Sequence, residues 1–513
     1  MNRRSFLESA ILTSVYALGS KSIRSGAQSL PNQTSQPIVV RPDVESGALP
    51  HYWEECFGSD RAIVGMRQQW LSDLERTRKD AGMKSVRFHG LFDDEMGVWT
   101  RGSASPNFLY VDTVFDAMIE RGVRPLVELS FMPGELASGT RTAFFYRGNV
   151  TTPTDMSQWH ELVHALASHC IDRYGKQEVR NWNFEVWNEP NLSFFWAGTQ
   201  AEYFELYRQA ATALKSVDGS LRVGGPATAQ AAWVPEFLEF CTSKQVPVDF
   251  VSSHIYPDDS QEKVFGKGVA YPFEQVIQQA LLKLKSQIKA SKLPNLPLYI
   301  TEWSSQNPAF IVSTIKDNIG VADMMSFWTF DNIFEENGVP RSFMNRNFGL
   351  LGTGGIPRLS FHAFTLLHRL GDVQIACDEG PVLATRKKDG SLAILVWNLI
   401  PLPPGHRSSM GDPVTQVAVQ DAEGGESKQV VLKLQGGHRF SKGHITRVDE
   451  NHGGSRLAYQ QMGSPQYPTM QQIDELRKKS DLPQAESIAP GPRGEFVVTL
   501  PPNGIALLEL PSH

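Results

Sequence analysis

The sequence predicts an α/β protein, a (β/α)8 TIM barrel followed by a C-terminal antiparallel β-sandwich domain. Three observations lead there. Between residues 50 and 370, short apolar runs alternate with longer amphipathic ones eight times. No glycine-rich phosphate turn follows the first strand, where a doubly wound sheet usually carries one. After Gly371 the texture changes to short β-like segments separated by Gly, Pro and Asp turns. A chain of 513 residues has room for one large and one smaller domain. The expected divisions are a leader at 1–28, a segment at 29–49 that adds a strand to the sandwich, the barrel at 50–370 and the sandwich at 371–513.

The leader resembles a twin-arginine export signal. Arg3-Arg4 stands before Phe6-Leu7, a mildly apolar run extends from Ala10 to Leu18, and small residues lie near Ala27. The run is well short of the roughly 20 residues that cross a bilayer. The expectation is a bacterial protein exported folded, to the periplasm or beyond, with no stable membrane insertion. Removing 1–28 lowers Lys plus Arg from 49 to 45 and Asp plus Glu from 55 to 54, for a net charge of −9. With no basic stripe, nucleic acid and anionic membranes are poor candidates for partners. Cys56, Cys170, Cys241 and Cys377 lack metal-ligand spacing and read as buried free thiols rather than a disulfide framework.

Within the barrel, residues 52–57 read as the first strand and 69–79 as its helix. Strand 85–89 is followed by helix 111–120, which Gly122 ends. Strand 125–131 is followed by helix 157–174, with Leu162, Val163, Leu166 and Ala167 at helical spacing and Gly175 as the stop. The fourth strand is the aromatic run Trp182-Asn183-Phe184-Glu185-Val186-Trp187. It halts at Asn188-Glu189-Pro190, where proline cannot continue a ladder and pushes Glu189 into an extended or turn conformation. Helix 202–217, strand 221–224, a short helix at 235–241, strand 250–255, helix 276–288, strand 298–303, strand 324–330 and a closing helix at 361–370 complete the count. In the sandwich, strands fall at 373–377, 382–385, 392–397, 414–419, 430–434, 496–500 and 505–510. Residues 37–40 add another from the N-terminal side, and 471–479 form a surface helix within a long insertion.

Active groups of such barrels sit at the C-terminal ends of the strands. Polar residues there are His89, Asn188 with Glu189, His254 with Tyr256, Glu302, and Trp328 with Asp331. Glu189 ends strand four and Glu302 ends strand seven, 113 residues apart in sequence yet facing one mouth. Glycoside hydrolysis needs such a pair, one carboxyl to protonate the leaving oxygen and one to attack the anomeric carbon. Strands four and seven should hold them at the roughly 5–5.5 Å separation of a retaining enzyme. Glu302 is then the ionised nucleophile. Glu189 is the acid, its pKa raised by the neighbouring charge, and it turns base once Glu302 is glycosylated. Each Glu alone would read equally well as a surface salt-bridge partner; the pair, each after an aromatic strand, does not. Asn188 suits a donor to the sugar 2-hydroxyl, and His89 and His254 suit donors to ring hydroxyls. A metal site is disfavoured because no His-Glu-x-x-His or related spacing occurs, and no Gly-x-Ser-x-Gly elbow marks a serine hydrolase. No cofactor is expected.

These motifs resemble a known family. Trp187-Asn188-Glu189-Pro190 with Thr301-Glu302-Trp303 is similar to the clan A retaining glycosidases. Arg87-Phe88-His89-Gly90, Phe131-Met132-Pro133, Ser253-His254-Ile255-Tyr256-Pro257, Trp328-Thr329-Phe330-Asp331 with Phe334-Glu335-Glu336, and Phe348-Gly349-Leu350-Leu351 narrow the resemblance to glycoside hydrolase family 39, the β-xylosidase and α-L-iduronidase family. It spans roughly residues 50–370, and Gln461-Met462-Gly463-Ser464-Pro465 resembles the family's sandwich domain. The resemblance implies Glu189 as acid/base and Glu302 as nucleophile. His89, Phe131, Asn188, His254, Tyr256, Trp328, Glu335 and Glu336 would line the subsite of the terminal sugar, with Phe131 and Trp328 packing on it and Glu335 accepting a hydroxyl. Trp303-Ser304-Ser305 and Asn345-Arg346-Asn347 depart from the pattern near the mouth, and Arg346 would favour an acidic substrate. The function expected is an exo-acting β-xylosidase on xylo-oligosaccharides. An α-L-arabinofuranosidase, β-glucosidase or uronic-acid glycosidase on the same site stays open, as does a non-catalytic carbohydrate-binding barrel.

Overall fold

The computed structural model describes residues 36–100, 102–344, 348–402, 425–436 and 440–512. The expected leader, the strand at 414–419 and the segment Asn345-Arg346-Asn347 lie outside them. Eight parallel strands close a barrel in the order Phe57–Arg61, Ser85–His89, Arg124–Leu129, Asn183–Val186, Arg222–Thr228, Phe250–His254, Leu298–Trp303 and Met324–Phe327, the last pairing with the first. Each is almost wholly buried, as parallel strands covered by helices on one face and packed on the other must be. The helices fall where the apolar spacing places them, among them Gln68–Ala81, Met156–Tyr174, Gln200–Val217 and Val276–Ala290. Gln200–Val217 opens on a reciprocal capping box between Thr199 and Glu202.

The first strand begins at Phe57, where sequence reasoning ended it. Residues 52–56 form a buried turn instead. The Tyr52 hydroxyl donates to Ile315 O at 2.6 Å, and Glu54 N closes a turn on His51 O. An apolar run buried by tertiary contact carries the same pattern as a strand. The eighth strand stops at Phe327 rather than 330, because Trp328 turns out of the ladder into the mouth.

Among the described residues, the second unit is a nine-stranded sheet. Ile38–Ala48 enters it from the N-terminal side, beside Val373–Cys377. The expectation of an all-antiparallel sandwich is corrected in one place: Ile38, Val39 and Val40 pair in parallel with Leu432, Lys433 and Leu434. A strand delivered from the far end of the chain is not bound by a hairpin to run antiparallel. Strands Gly443–Val448 and Glu486–Ile488 and the helix Ser455–Gln461 were not foreseen, whereas Met470–Ser480 is the helix expected at 471–479. The sheet buries its own core, including Val382, Ile394, Val430, Leu432, Val498 and Leu508. Cys56, Cys170, Cys241 and Cys377 are free thiols, the first three buried. Among the described residues, no helix is long and apolar enough to cross a membrane.

Candidate active site

The backbone after Val186 explains how an acid comes to stand at the barrel mouth. Trp187 and Glu189 both take positive φ, 71° and 44°, a left-handed geometry that costs side-chain-bearing residues about 1–2 kcal/mol each. Glu189 is therefore left-handed rather than extended, and it opens the expected turn, its O accepting from Leu192 N at 2.9 Å. Packing holds this strain in place. The Trp187 indole donates to Phe195 O at 2.7 Å and sits edge-on to Phe131, Trp159 and Trp196. Glu189 N donates to Ala227 O at 2.8 Å. The turn aims the Glu189 carboxyl inward, where the side chain is only 3% exposed.

Glu302 arrives from the other side of the barrel. It lies in register with His254 on the neighbouring strand, and both are fully buried. One oxygen each of Glu189 and Glu302 lie within 4.8 Å of one another, with His254 between them. His254 Nδ1 is 3.1 Å from Glu189 Oε1 and 3.7 Å from Glu302 Oε2. The Tyr256 hydroxyl donates to Glu302 Oε2 at 2.8 Å, and Arg87 Nη1 donates to Glu302 Oε1 at 3.1 Å. Glu302 thus has a hydrogen bond on each oxygen, which suits an ionised group of fixed orientation. Glu189, His254 and Glu302 could converge on a cation, but the 3.1 Å contact is a hydrogen bond between two of the would-be ligands.

Sequence reasoning missed the guanidinium at the centre of this arrangement. Arg87 is fully buried and touches four side chains: Glu185 at 2.6 Å, Glu128 at 2.7 Å, Glu302 at 3.1 Å and Asn188 Oδ1 at 3.0 Å. Burial works against its charge, but Glu128, Glu185 and Glu302 outweigh that and raise its pKa. Thr301 Oγ1 donates to the second oxygen of Glu185. A legible signal did exist: Arg87 is a charge inside an apolar strand, two residues before His89 and hence on the same face. Glu128 also fixes His89, lying 2.9 and 3.0 Å from Nδ1 while Ser130 donates to the carboxylate. The opposite nitrogen, Nε2, is 3.7 Å from both Glu302 and Glu336.

Three buried nitrogens at this mouth find no hydrogen-bond partner among the described residues: His89 Nε2, Asn188 Nδ2 and His254 Nε2. Buried polar atoms are almost always paired, so such a cluster marks a place for a ligand with several hydroxyls. Asn188 keeps its oxygen on Arg87 and holds its amide hydrogens free, the orientation a donor to a sugar hydroxyl requires. Rings close the sides. Trp328 packs on His89 at 4.7 Å, and Phe131 on His89 at 5.9 Å. Gly58 leaves the space that Trp328 fills, since a Cβ there would sit 2.3 Å from the indole.

Of the residues singled out beforehand, His89, Phe131, Asn188, Glu189, His254, Tyr256, Glu302, Trp328 and Glu336 come together. Glu335, the expected hydroxyl acceptor, is held by two arginines. Arg67 engages both its oxygens, at 2.7 and 3.0 Å, and Arg61 approaches at 3.1 Å. Burial would raise the Glu335 pKa, yet these two arginines hold it below the usual carboxylate range. Asp331 is a structural group, accepting from Ser59 and from Ile333 N, with burial pushing its carboxyl well up.

Comparison with known proteins agrees with this geometry. Residues 36–495 match the family model described as Glycosyl hydrolases family 39. The chain is 37% identical over 475 residues to a β-xylosidase of Caldicellulosiruptor saccharolyticus, covering 87% of this chain and 91% of that one. Against a β-xylosidase of Geobacillus stearothermophilus it is 36% identical over 450 residues, covering 83% and 85%. The crystal structure of a monomeric β-xylosidase from Caulobacter crescentus CB15 superposes with a TM-score of 0.82 at 30% identity, over 93% of this chain and all of that one.

Proposed function

This chain belongs to glycosyl hydrolases family 39 and is an O-glycosyl hydrolase, and on that premise we propose that it is a retaining, exo-acting β-xylosidase releasing xylose from xylo-oligosaccharides. The observation that carries the reading is the pair of carboxyl groups within 4.8 Å, ringed by buried donors without partners. That spacing is the short one of a double displacement rather than the roughly 6.5–9.5 Å of an inverting pair. Similarity to two β-xylosidases over more than four-fifths of the chain supports the sugar.

In this mechanism Glu302, held by Tyr256 and Arg87, attacks the anomeric carbon as Glu189 protonates the departing oxygen. The C–O bond to the leaving group breaks as the bond to Glu302 forms. Glu189, now ionised, takes a proton from water, which displaces Glu302 and returns the first configuration. Asn188 donates to the 2-hydroxyl, a bond that tightens as oxocarbenium character develops. Arg87 and Tyr256 keep Glu302 ionised before attack and receive its charge when it leaves.

The reading extends to location. The Arg3-Arg4 leader supports export in the folded state, to the periplasm or beyond. Proton NMR of the first-formed sugar from an aryl β-xyloside should show the β-anomer, and an α-anomer would overturn the roles. With Glu189→Ala and an activated aryl leaving group, azide should restore turnover as a β-glycosyl azide. A panel of aryl xylosides, glucosides, arabinofuranosides and uronides tests the sugar.

A further inference from the structure

Two exposed phenylalanines stand at the rim of this mouth, where apolar rings are seldom left in water without a use. Phe194 is 47% exposed and Phe145 65% exposed. Phe194 lies five residues after Glu189, on the turn that the acid itself begins: Leu192 N donates to Glu189 O, and Phe195 N to Leu192 O, both at 2.9 Å. The turn is anchored on each side of Phe194. Phe195 O accepts from Trp187, and the Trp196 indole donates to Thr199 O at 2.9 Å. Phe145 sits at the tip of the ribbon formed by Thr142–Ala143 and Gly148–Asn149, and its N–H donates to Glu336 O at 2.8 Å.

Between these two positions runs Phe144. Its ring stacks on His89 at 5.7 Å, meets Phe194 edge-on at 5.6 Å and lies 5.2 Å from Phe195. His89 Nε2 is in turn 3.7 Å from Glu302. An unbroken path of rings therefore leads from the nucleophile's surroundings, past the acid's own turn, to the surface. The leaving group departs on the side of the acid that protonates it, and Phe194 stands on the turn that this acid opens.

We propose that Phe194 and Phe145, backed by Phe144, form a leaving-group subsite for a flat, apolar aglycone such as an aryl group. This rests on the glycosidase reading of Glu189 and Glu302. A second sugar in the same place would present hydroxyls on its edge. The amide of that turn is already engaged, with Asn191 Nδ2 donating to Ala229 O at 3.0 Å and Oδ1 accepting from Ala229 N at 2.9 Å. What Phe194 and Phe145 offer is ring faces and edges, which reward aromatic contact by roughly a factor of ten where two rings are engaged.

The test compares 2-naphthyl β-xyloside with xylobiose on the full-length protein, by kcat/KM. For Phe194→Ala with Phe145→Ala, the naphthyl value should fall about tenfold relative to wild type while the xylobiose value changes by less than about twofold. Phe194→Trp should keep or raise the naphthyl preference. Equal losses on both substrates, a loss on xylobiose alone, or no change on either would overturn the assignment, and the second of these would give the rim to a sugar. If wild type hydrolyses neither substrate, the xylose reading fails instead. The same naphthyl-to-disaccharide ratio, measured on the glycone that is accepted, then decides the subsite by the same criteria.

Discussion

Two clusters in this chain are built from the same residue types at similar distances, and only one is at the mouth. At the C-terminal end of the barrel, His254 stands between Glu189 and Glu302. Near the start of the barrel and its closing helix, Glu54 stands between His51 and His368, whose Nδ1 atoms lie 2.7 and 2.8 Å from one carboxylate oxygen. The second cluster reaches solvent chiefly at His368 and ties the chain before the first strand to the closing helix, with Asp372 3.8 Å beyond His51. The first is sealed and wired to Arg87, and it keeps donors in reserve. The difference teaches that a histidine among carboxylates is not in itself a site. The second cluster leaves one buried nitrogen unpartnered, His51 Nε2; what separates chemistry from bracing is full burial at the strand ends where the barrel opens, with several such donors gathered around the carboxyl pair.

The sharpest way to test that contrast is to remove one carboxylate from each cluster. Glu302→Ala should lower kcat on an aryl xyloside by about 10^4-fold or more, because no other group forms the covalent intermediate. Glu54→Ala should leave kcat within about twofold. Comparable losses from the two variants would erase the distinction.

Arg87 extends the comparison from catalysis to stability. Its guanidinium compensates Glu128, Glu185 and Glu302, all fully buried. Arg87→Met should therefore cost about 3–5 kcal/mol of unfolding free energy, since it strands charges in a low-dielectric interior. Denaturant melts at pH 7 measure it directly. A loss below about 1 kcal/mol would mean that water reaches the barrel interior and shares the work.

How much of this was legible beforehand follows the same division. The eight barrel strands, most of their helices and both catalytic candidates could be read from aromatic strands ending in polar residues, because strand ends announce themselves through proline and a change of polarity. The helix Pro308–Asp317 was not read, and Phe131, Glu335 and Glu336 were named for the subsite only through the family resemblance. Arg87 and Glu128 could not be assigned roles, since their partners come from strands far apart in sequence. Nor could the settings of Glu335 and Glu336 be told apart. Glu336 lies 3.7 Å from His89, whereas Glu335 is bound by Arg61 and Arg67, and adjacent acids on a loop carry no period that distinguishes them. The turn at residues 52–56 passed for a strand because apolar composition reports burial before it reports geometry.

Asn188 gives an intermediate effect and tests the meaning of an unpartnered donor. Asn188→Ala removes a donor aimed at the substrate and frees one position on Arg87. A hydrogen bond made fully only in the transition state is worth roughly 10^2–10^3 in kcat. The drop should therefore appear in kcat more than in KM. An effect confined to KM would make Asn188 a ground-state contact and leave the transition-state role to other groups.

The smallest expected effect lies at the bracing cluster and depends on pH. Burial alone would raise the pKa of Glu54, but hydrogen bonds from His368 and His51 and their charges hold it below the usual carboxylate range. A carboxylate lowered in this way contributes stability that is fully present above its unfolded pKa of about 4.3 and is lost as pH falls through the lower folded value. Glu54→Gln should thus destabilise the protein by about 1–2 kcal/mol at pH 6–7, where the native carboxylate is ionised. The gap to wild type should narrow as pH drops below about 4, where both unfold from an uncharged group at this position. Chemical denaturation across pH 3–7 follows the gap. A difference that stays constant with pH would show that shape, not charge, is what Glu54 contributes, and activity at pH 7 should be the same in either case.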